Sequence, residues 1–319
     1  MFKKVLVTNK TNRKWERIVN EGVFTIQKEE VFAKDDRFYT IGSCFAEEVR
    51  KSLTKKEIEI FPKLNEKQFS FANSQIDTLP HREHLNFYNT FSILQEIQNA
   101  IKPIKPYQED VWTLDDTFFE KGKLFHIPGK TVYQSPYRRM ILSNDYDEYS
   151  YNNNLVSEAI REGIHSANVF VITLGLTEVF FNKQKLAING FPGYLTKRSS
   201  RDVIFRNSSF TENLENLKKI RKHLKTINPQ YRIIVTVSPV PLQRTFTDQD
   251  IYVANMRSKS VLRAAADAFT EFFDDVTYLP TYEYVSSLGT KAFKPDLRHI
   301  EEYAVDTIME MFMRSKFVH

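Results

Sequence analysis

The chain reads as an α/β protein built on a mostly parallel sheet with helices on both faces, and three observations predict this. The segments "NVFVITLG" and "YRIIVTVSP" are continuous apolar runs of strand length, the pattern of strands covered on both faces. Each is separated from the next by a stretch with helical spacing, so strand and helix alternate in the rhythm of a parallel sheet. Each strand ends in a turn, at a glycine or a Ser-Pro pair, and in such sheets ligands sit outside the carboxyl ends of the strands.

Taken in order, residues 1–36 read as an irregular N-terminal arm. "FYTI" is a strand and "CFAEEVRKSLTKK" the helix after it. A polar connection dotted with phenylalanines leads to "YNTFSILQEIQNAIK", where Phe91, Leu94, Ile97 and Ile101 recur at helical spacing. Residues 103–150 read as an insertion, with "VWTLDDTFFEKGKLFHI" a hairpin turning at "EKGK". After "NVFVITLG" comes the amphipathic helix "TENLENLKKIRKHLKTIN", opened by Thr211 or a nearby polar cap and stopped before Pro229. "VANMRSKSVLRAAADAFTEFF" is a further helix, "VTYLP" a short strand, and "LRHIEEYAVDTIMEMFMR" a terminal helix. Chain length favours one large domain, residues 1–319, with insertions.

Composition narrows the partners. Hydrophobic content of 41% and charged content of 27% are those of a globular protein that can bury its own core. The 45 Lys and Arg are interleaved with 40 Asp and Glu, for a net charge of +5, which describes a solvated surface rather than a nucleic-acid stripe. One cysteine excludes an internal disulfide. No segment has a signal peptide's apolar core, and no run approaches the ~18–20 apolar residues of a membrane span, so a cytoplasmic protein is expected. His81, Glu83 and His84 lack the spacing of a metal-binding set, and no metal site is expected.

The chemistry is expected where the strands end. Gly42, Ser43 and Cys44 follow the first strand; Gly175, Leu176, Thr177 and Glu178 follow "FVIT"; Ser238 and Pro239 follow "IIVTV". Asp296 and His299 sit three apart before the terminal helix, with Asp296 read as its N-cap and His299 in its first turn. That pairing lets the carboxylate fix the imidazole's tautomer and stabilise its charged form; a capping aspartate beside an ordinary surface histidine is the plainer account. A thiol at a helix N-terminus is favoured as thiolate, and the N–H groups of that turn can hold an oxyanion. Equally, Cys44 can be a small packing residue and Ser43 the helix cap. Arg244, Arg257, Lys259 and Arg263 are candidates for binding an anionic substrate or cofactor group; a solvated helix face explains Arg257 and Lys259 as well.

The blocks "GSCFAEEV", "ITLGLTEVF", "VTVSPVPLQRTF", "VANMRSKSVLRAAAD", "YLPTYEYV" and "DLRH" resemble the GSCFA-domain family, in order from residue 38 to about residue 300. That family is similar to the SGNH (GDSL-type) hydrolases. The resemblance implies a three-layer α/β/α sandwich with about five mostly parallel strands, and esterase or acyl-transfer chemistry through a Ser-His-Asp type triad. Laid on the superfamily pattern, Cys44 takes the nucleophile position and Ser43 the usual aspartate, with Ser43 the alternative nucleophile, while Asp296 and His299 match without gaps. Gly175 and Thr177 fall on the oxyanion block, with threonine in place of asparagine; Asn86 and Asn89 are the candidate donors for the remaining block. Glu178, Ser238 and Arg244 are then candidate substrate contacts. The implied substrate is a small-molecule or glycan acyl ester, with no resident cofactor and an acyl-CoA as a fitting co-substrate. The other reading is a catalytically silent module on this scaffold that binds a glycan or a protein.

Overall fold

The computed structural model describes residues 32–33, 35–70, 85–114, 117–120, 123–126, 131–139, 141–189, 203–314 and 317–318. Five strands form its central sheet: β1 (Phe38–Gly42), β2 (Ile60–Phe61), β3 (Val169–Leu174), β7 (Arg232–Val237) and β8 (Val276–Tyr278). Their spatial order is β8-β7-β3-β1-β2, and every neighbouring pair is parallel. The expected parallel sheet with helices on both faces is what the chain forms.

Alternation along the strands explains the layers. Tyr39, Ile41, Phe170, Ile172, Ile233 and Val235 point to one face. There they pack beneath α2 (Thr90–Ile101), α3 (Tyr146–Ser166), α4 (Phe210–Ile227) and α5 (Ile251–Phe272). Phe38, Val169, Val171 and Ile234 point to the other face. That side is covered by α1 (Cys44–Lys55), α6 (Thr281–Leu288) and α7 (Glu302–Arg314). Both faces being buried is why these strands are mainly apolar instead of alternating.

The chain leaves β1 for β2 on one side and returns to β3 on the other. The carboxyl ends of β1 and β3 therefore carry connections that diverge, which opens a crevice between them. A second, three-stranded antiparallel sheet borders that crevice, made by β4 (Glu178–Phe181), β5 (Ala187–Ile188) and β6 (Ile204–Asn207).

Within residues 103–150 the expected hairpin is present. Thr117–Glu120 pairs antiparallel with Lys123–His126, with Glu120 opposite Lys123. Trp112–Leu114, Val132–Gln134 and Leu142–Ser143 form another antiparallel set. The arm departs from expectation at its end: Phe32 and Ala33 pair parallel with Phe317 and Val318. Phe32 is fully buried against Phe38 and Phe312. Helix α4 is capped by Ser209 rather than Thr211, in a reciprocal capping box with Glu212.

The connection after the Val132–Gln134 strand is anchored by an ion pair in the core. Arg138 is fully buried and donates from Nε and Nη2 to the two Glu96 carboxylate oxygens, each at 2.9 Å. Its Nη1 donates to Asn153 O at 2.8 Å and Ser157 Oγ at 2.7 Å. The guanidinium's proton is held more tightly than usual because Glu96 outweighs the cost of burial. Glu96→Ala strands that charge, and urea titration is expected to show a loss of about 3 kcal/mol of unfolding free energy.

Candidate active site

The site begins with a glycine that no other residue can replace. Gly42 has φ +140°, and a Cβ there would sit 2.1 Å from Thr173 O. This close approach of β1 to β3 lets Ser43 N–H donate to Thr173 O at 3.1 Å and starts α1 at the next residue. Ser43 is the helix N-cap: its Oγ accepts from Phe45 N–H at 3.4 Å, and the residue is buried. Cys44, the first helical residue, is half-buried. Its side chain therefore sits at the positive end of the α1 dipole.

A cavity of about 170 Å³ lies at the carboxyl ends of β1, β3 and β7, and both Ser43 and Cys44 line it. Asn89, Gly175, Glu178, Ser238 and Arg244 line it too. An adjoining cleft is bounded by Cys44 on one side and His299 on another, with Val240 shared between the two spaces. Four regions of the sequence thus converge on one rim of the sheet, with Cys44 at the junction.

Asp296 and His299 are joined as expected, but not by a helix. The terminal helix starts at Glu302, so Asp296 does not cap it and His299 is not in its first turn. Leu297 has φ +53°, which a right-handed helix cannot contain. Asp296 instead closes a turn: its Oδ1 accepts from the N–H groups of Arg298 at 3.1 Å and His299 at 3.0 Å. Its Oδ2 accepts from His299 Nδ1 at 2.5 Å. The imidazole hydrogen bond, followed by the two backbone N–H groups, holds the Asp296 carboxyl well below the usual range. Both side chains are about half exposed, at 56% and 49% for His299 and Asp296, so the imidazole is reachable from solvent.

The expected oxyanion donors fare differently. Gly175 N–H donates to Tyr88 O at 3.1 Å, so it is spent within the fold. The residue's role is spatial: a Cβ there would lie 2.7 Å from Tyr88 O and 3.1 Å from Ser43 Cβ. The Thr177 hydroxyl donates to Asn207 Oδ1 at 2.7 Å and its N–H to Ser258 Oγ at 2.9 Å. Thr177 is fully buried away from the cavity and is removed from the donor set. Asn86 is buried in a bridge to Gly42, and its carbonyl accepts from Asn189 Nδ2 at 2.6 Å; it does not line the cavity. Asn89 does. Its Oδ1 caps α2 by accepting from Ser92 N–H at 2.9 Å, which leaves Nδ2 as its donor.

Among the expected substrate contacts, Glu178 holds a loop. Its Oε1 accepts from Thr245 Oγ1 at 2.5 Å and its Oε2 from Phe246 N–H at 2.8 Å, which fixes the segment carrying Arg244. Ser238 is buried, its Oγ accepting from Val240 N–H at 3.3 Å. His81, Glu83 and His84 lie outside the described residues. No group of three or more metal-ligating side chains occurs among the described residues, and none of their helices is long and apolar enough to cross a membrane.

Two residues at the site were not foreseen and a third takes an unforeseen position. Lys259, for which anion binding and a solvated helix face were both open, is fully buried; its Nζ donates to Gly175 O and Val240 O, each at 2.8 Å. Burial lowers its pKa to about 7, the neighbouring Cys44 opposing that shift and Arg298 adding to it. The signal was present: Lys259 falls in the buried stripe with Ser258, Leu262 and Ala266. Arg298, inside the "DLRH" turn, and Arg139, whose guanidinium lies 5.3 Å from the Tyr88 ring centre, also line the cavity.

No curated protein sequence matches the chain. A solved structure of similar outline is the crystal structure of an acetyl esterase mutant with acetate ion. It is 8% identical, with a TM-score of 0.34, covering 86% of this chain and 93% of that one. The GSCFA family model matches residues 37–312, from the strand before Gly42 to the terminal helix, and therefore takes in the whole cavity rim. The chain belongs to the GSCFA family.

Proposed function

We propose that this protein is an acyl-ester hydrolase or acyltransferase of SGNH type, acting on O-acyl groups of a carbohydrate, with Cys44 as nucleophile. The observation that carries the reading is the position of Cys44. It lies at a helix N-terminus and borders both a cavity able to seat an acyl ester and the cleft that holds the Asp296-bound His299.

The chemistry follows from those positions. The Cys44 thiol gives its proton to His299, and its sulfur attacks the ester carbonyl, whose oxygen becomes an oxyanion. The Cys44 backbone N–H and the Asn89 side-chain amide are the donors this reading assigns to it. Collapse expels the alkoxide, which takes a proton from His299, and leaves a thioester on Cys44. Water or a second hydroxyl then gives its proton to His299 and attacks the thioester, and the thiolate departs. Asp296 holds His299 Nδ1 throughout, so Nε2 is the nitrogen that exchanges protons. An acyl-CoA could load the same sulfur in a transferase cycle.

Intact-mass spectrometry after incubation with acetyl-CoA, longer acyl-CoAs and acetylated sugars tests this. The expected result is an acyl mass increment that peptide mapping places on residue 44, more persistent in His299→Ala. A protein that binds acetylated sugar yet gains no adduct with any donor, in either form, is the silent module instead.

A further inference from the structure

Two spaces meet at Cys44, and it shares that position with Val240: among the described residues these two border both. The first space is the cavity of about 170 Å³ at the strand ends. Its wall includes Tyr88, Leu176, Phe180, Ile188, Leu242 and Phe246. Phe180 and Phe246 meet edge to face, with ring centres 4.7 Å apart. Glu178 accepts from the Phe246 N–H and so keeps that residue on the wall. The second space is the cleft beside α1 and α7, bordered by Glu48, Lys51, Lys294, His299, Glu302 and Asp306.

The reaction has a direction across this junction. Four groups surround the carbon of the tetrahedral intermediate: the sulfur, the oxyanion, the leaving oxygen and the acyl chain. Asn89, assigned to the oxyanion, lines the cavity. His299, which must hand a proton to the leaving oxygen, borders the cleft. Once the oxyanion faces the cavity and the leaving oxygen faces the cleft, the alcohol extends into the cleft and the acyl chain turns toward Phe180 and Phe246.

Resting on the acyl-transfer reading above, we infer that the cavity is the acyl-chain site, taking an unbranched acyl group of about four to eight carbons, and that the cleft is the site of a polyhydroxylated alcohol. An apolar space of about 150 Å³ holds a six-carbon ring, which sets that range. An acetyl group reaches the sulfur but leaves the aromatic wall uncovered, whereas each further methylene is taken out of water against it. In the cleft, carboxylates accept from hydroxyls and ammonium groups donate to them.

The test compares kcat/KM of the full chain for para-nitrophenyl acetate, butanoate, hexanoate and decanoate. Hexanoate is expected to exceed acetate by about tenfold or more, since burying one methylene is worth a factor of roughly three to four, with no further gain at decanoate. That ratio should fall to within about threefold in Phe246→Ala, whose side chain is already partly in solvent, with Phe180→Ala as the second cavity variant. With butanoate as the fixed acyl group, preference for its glucose ester over its ethyl ester should drop by about threefold or more in Lys294→Ala or Glu48→Ala, and not in Phe246→Ala. Acetate faster than hexanoate overturns the assignment. So does a chain-length ratio indifferent to both phenylalanine substitutions, one moved by the cleft substitutions instead, or faster reaction of a carboxylate-ended glutarate monoester than of the pentanoate. Alkylation of Cys44 by N-ethylmaleimide and N-hexylmaleimide, each relative to its rate with glutathione and read by intact mass, separates this from the acyl chemistry. A hexyl preference that Phe246→Ala abolishes, in a protein that turns over no ester, removes the acyl chemistry and keeps an alkyl site beside the sulfur. Ester turnover with no chain-length preference in either assay does the reverse.

Discussion

Cys44→Ala is expected to lower kcat/KM for an activated ester such as para-nitrophenyl acetate by roughly a thousandfold or more, since in this reading its sulfur carries the acyl intermediate. Folding should be nearly unaffected. Cys44 is half-buried at a cavity rim, and the helix it begins is capped by Ser43, so the melting temperature should move by only a few degrees. His299→Ala should cost about 10²–10⁴-fold, the worth of a positioned acid–base group. Asp296→Asn separates two roles of one side chain. The amide oxygen can still accept from the Arg298 and His299 N–H groups and keep the turn, but its nitrogen cannot accept from His299 Nδ1. A large loss of activity in that variant with an unchanged melting temperature would mark Asp296 as the orienting residue.

Ser43→Ala is the decisive control. The Ser43 hydroxyl accepts from Phe45 N–H and lies 3.4 Å from the Thr173 hydroxyl, so its removal should cost about 1 kcal/mol of stability as a lost N-cap. Activity should stay within about tenfold of the original under this reading. An inactive, well-folded Ser43→Ala with an active Cys44→Ala would move the nucleophile one residue back. Retained activity in both would end the covalent mechanism.

How far the sequence alone reaches can be seen residue by residue. The strands are legible because β3 and β7 are buried on both faces and so are mainly apolar, broken only by Thr173, Arg232 and Thr236. The convergence of Gly42, Gly175 and Ser238 on one rim followed from parallel topology, since every strand then ends on the same side. Helix α3 was not legible, because its buried face includes Glu148, Asn152 and Asn153 among its apolar residues. Strand β2 is two residues long, too short to show a period. The "DLRH" segment reads as a helix start because Asp-x-x-His spacing fits one helical turn. An Asx-type turn around a left-handed Leu297 produces the same proximity. The oxyanion assignments failed for Gly175 and Thr177 because a residue pattern shows which donors exist but not which are already bound to their own fold.

Lys259 carries the second large effect, and it concerns protons. In the folded chain its ammonium is lost near pH 7, against an ordinary value of 10.5. The unfolded chain therefore binds one more proton than the folded chain between those limits. Unfolding free energy rises with pH wherever the unfolded state holds more protons, so the cost of burying this lysine is full below about pH 7 and is relieved as pH climbs toward 10.5. The span corresponds to roughly 4–5 kcal/mol. Lys259→Met removes the titration but also the donor to Gly175 O and Val240 O, a penalty that does not vary with pH. Subtracting the two stability–pH curves, measured by urea unfolding in a Cys44→Ala background so that the thiol does not titrate in the same window, should leave a difference that shifts in favour of Lys259 as pH rises from 7 to 10. A flat difference would mean that Lys259 keeps one protonation state throughout. The rising one has a catalytic consequence: a lysine that titrates near neutrality beside Cys44 adds positive charge next to the sulfur on its acid side, so its protonation and the formation of a thiolate become mutually favourable. The pH–rate profile of the intact chain should then reflect the pair together with His299, and Lys259→Met should move it toward the behaviour of an unassisted thiol.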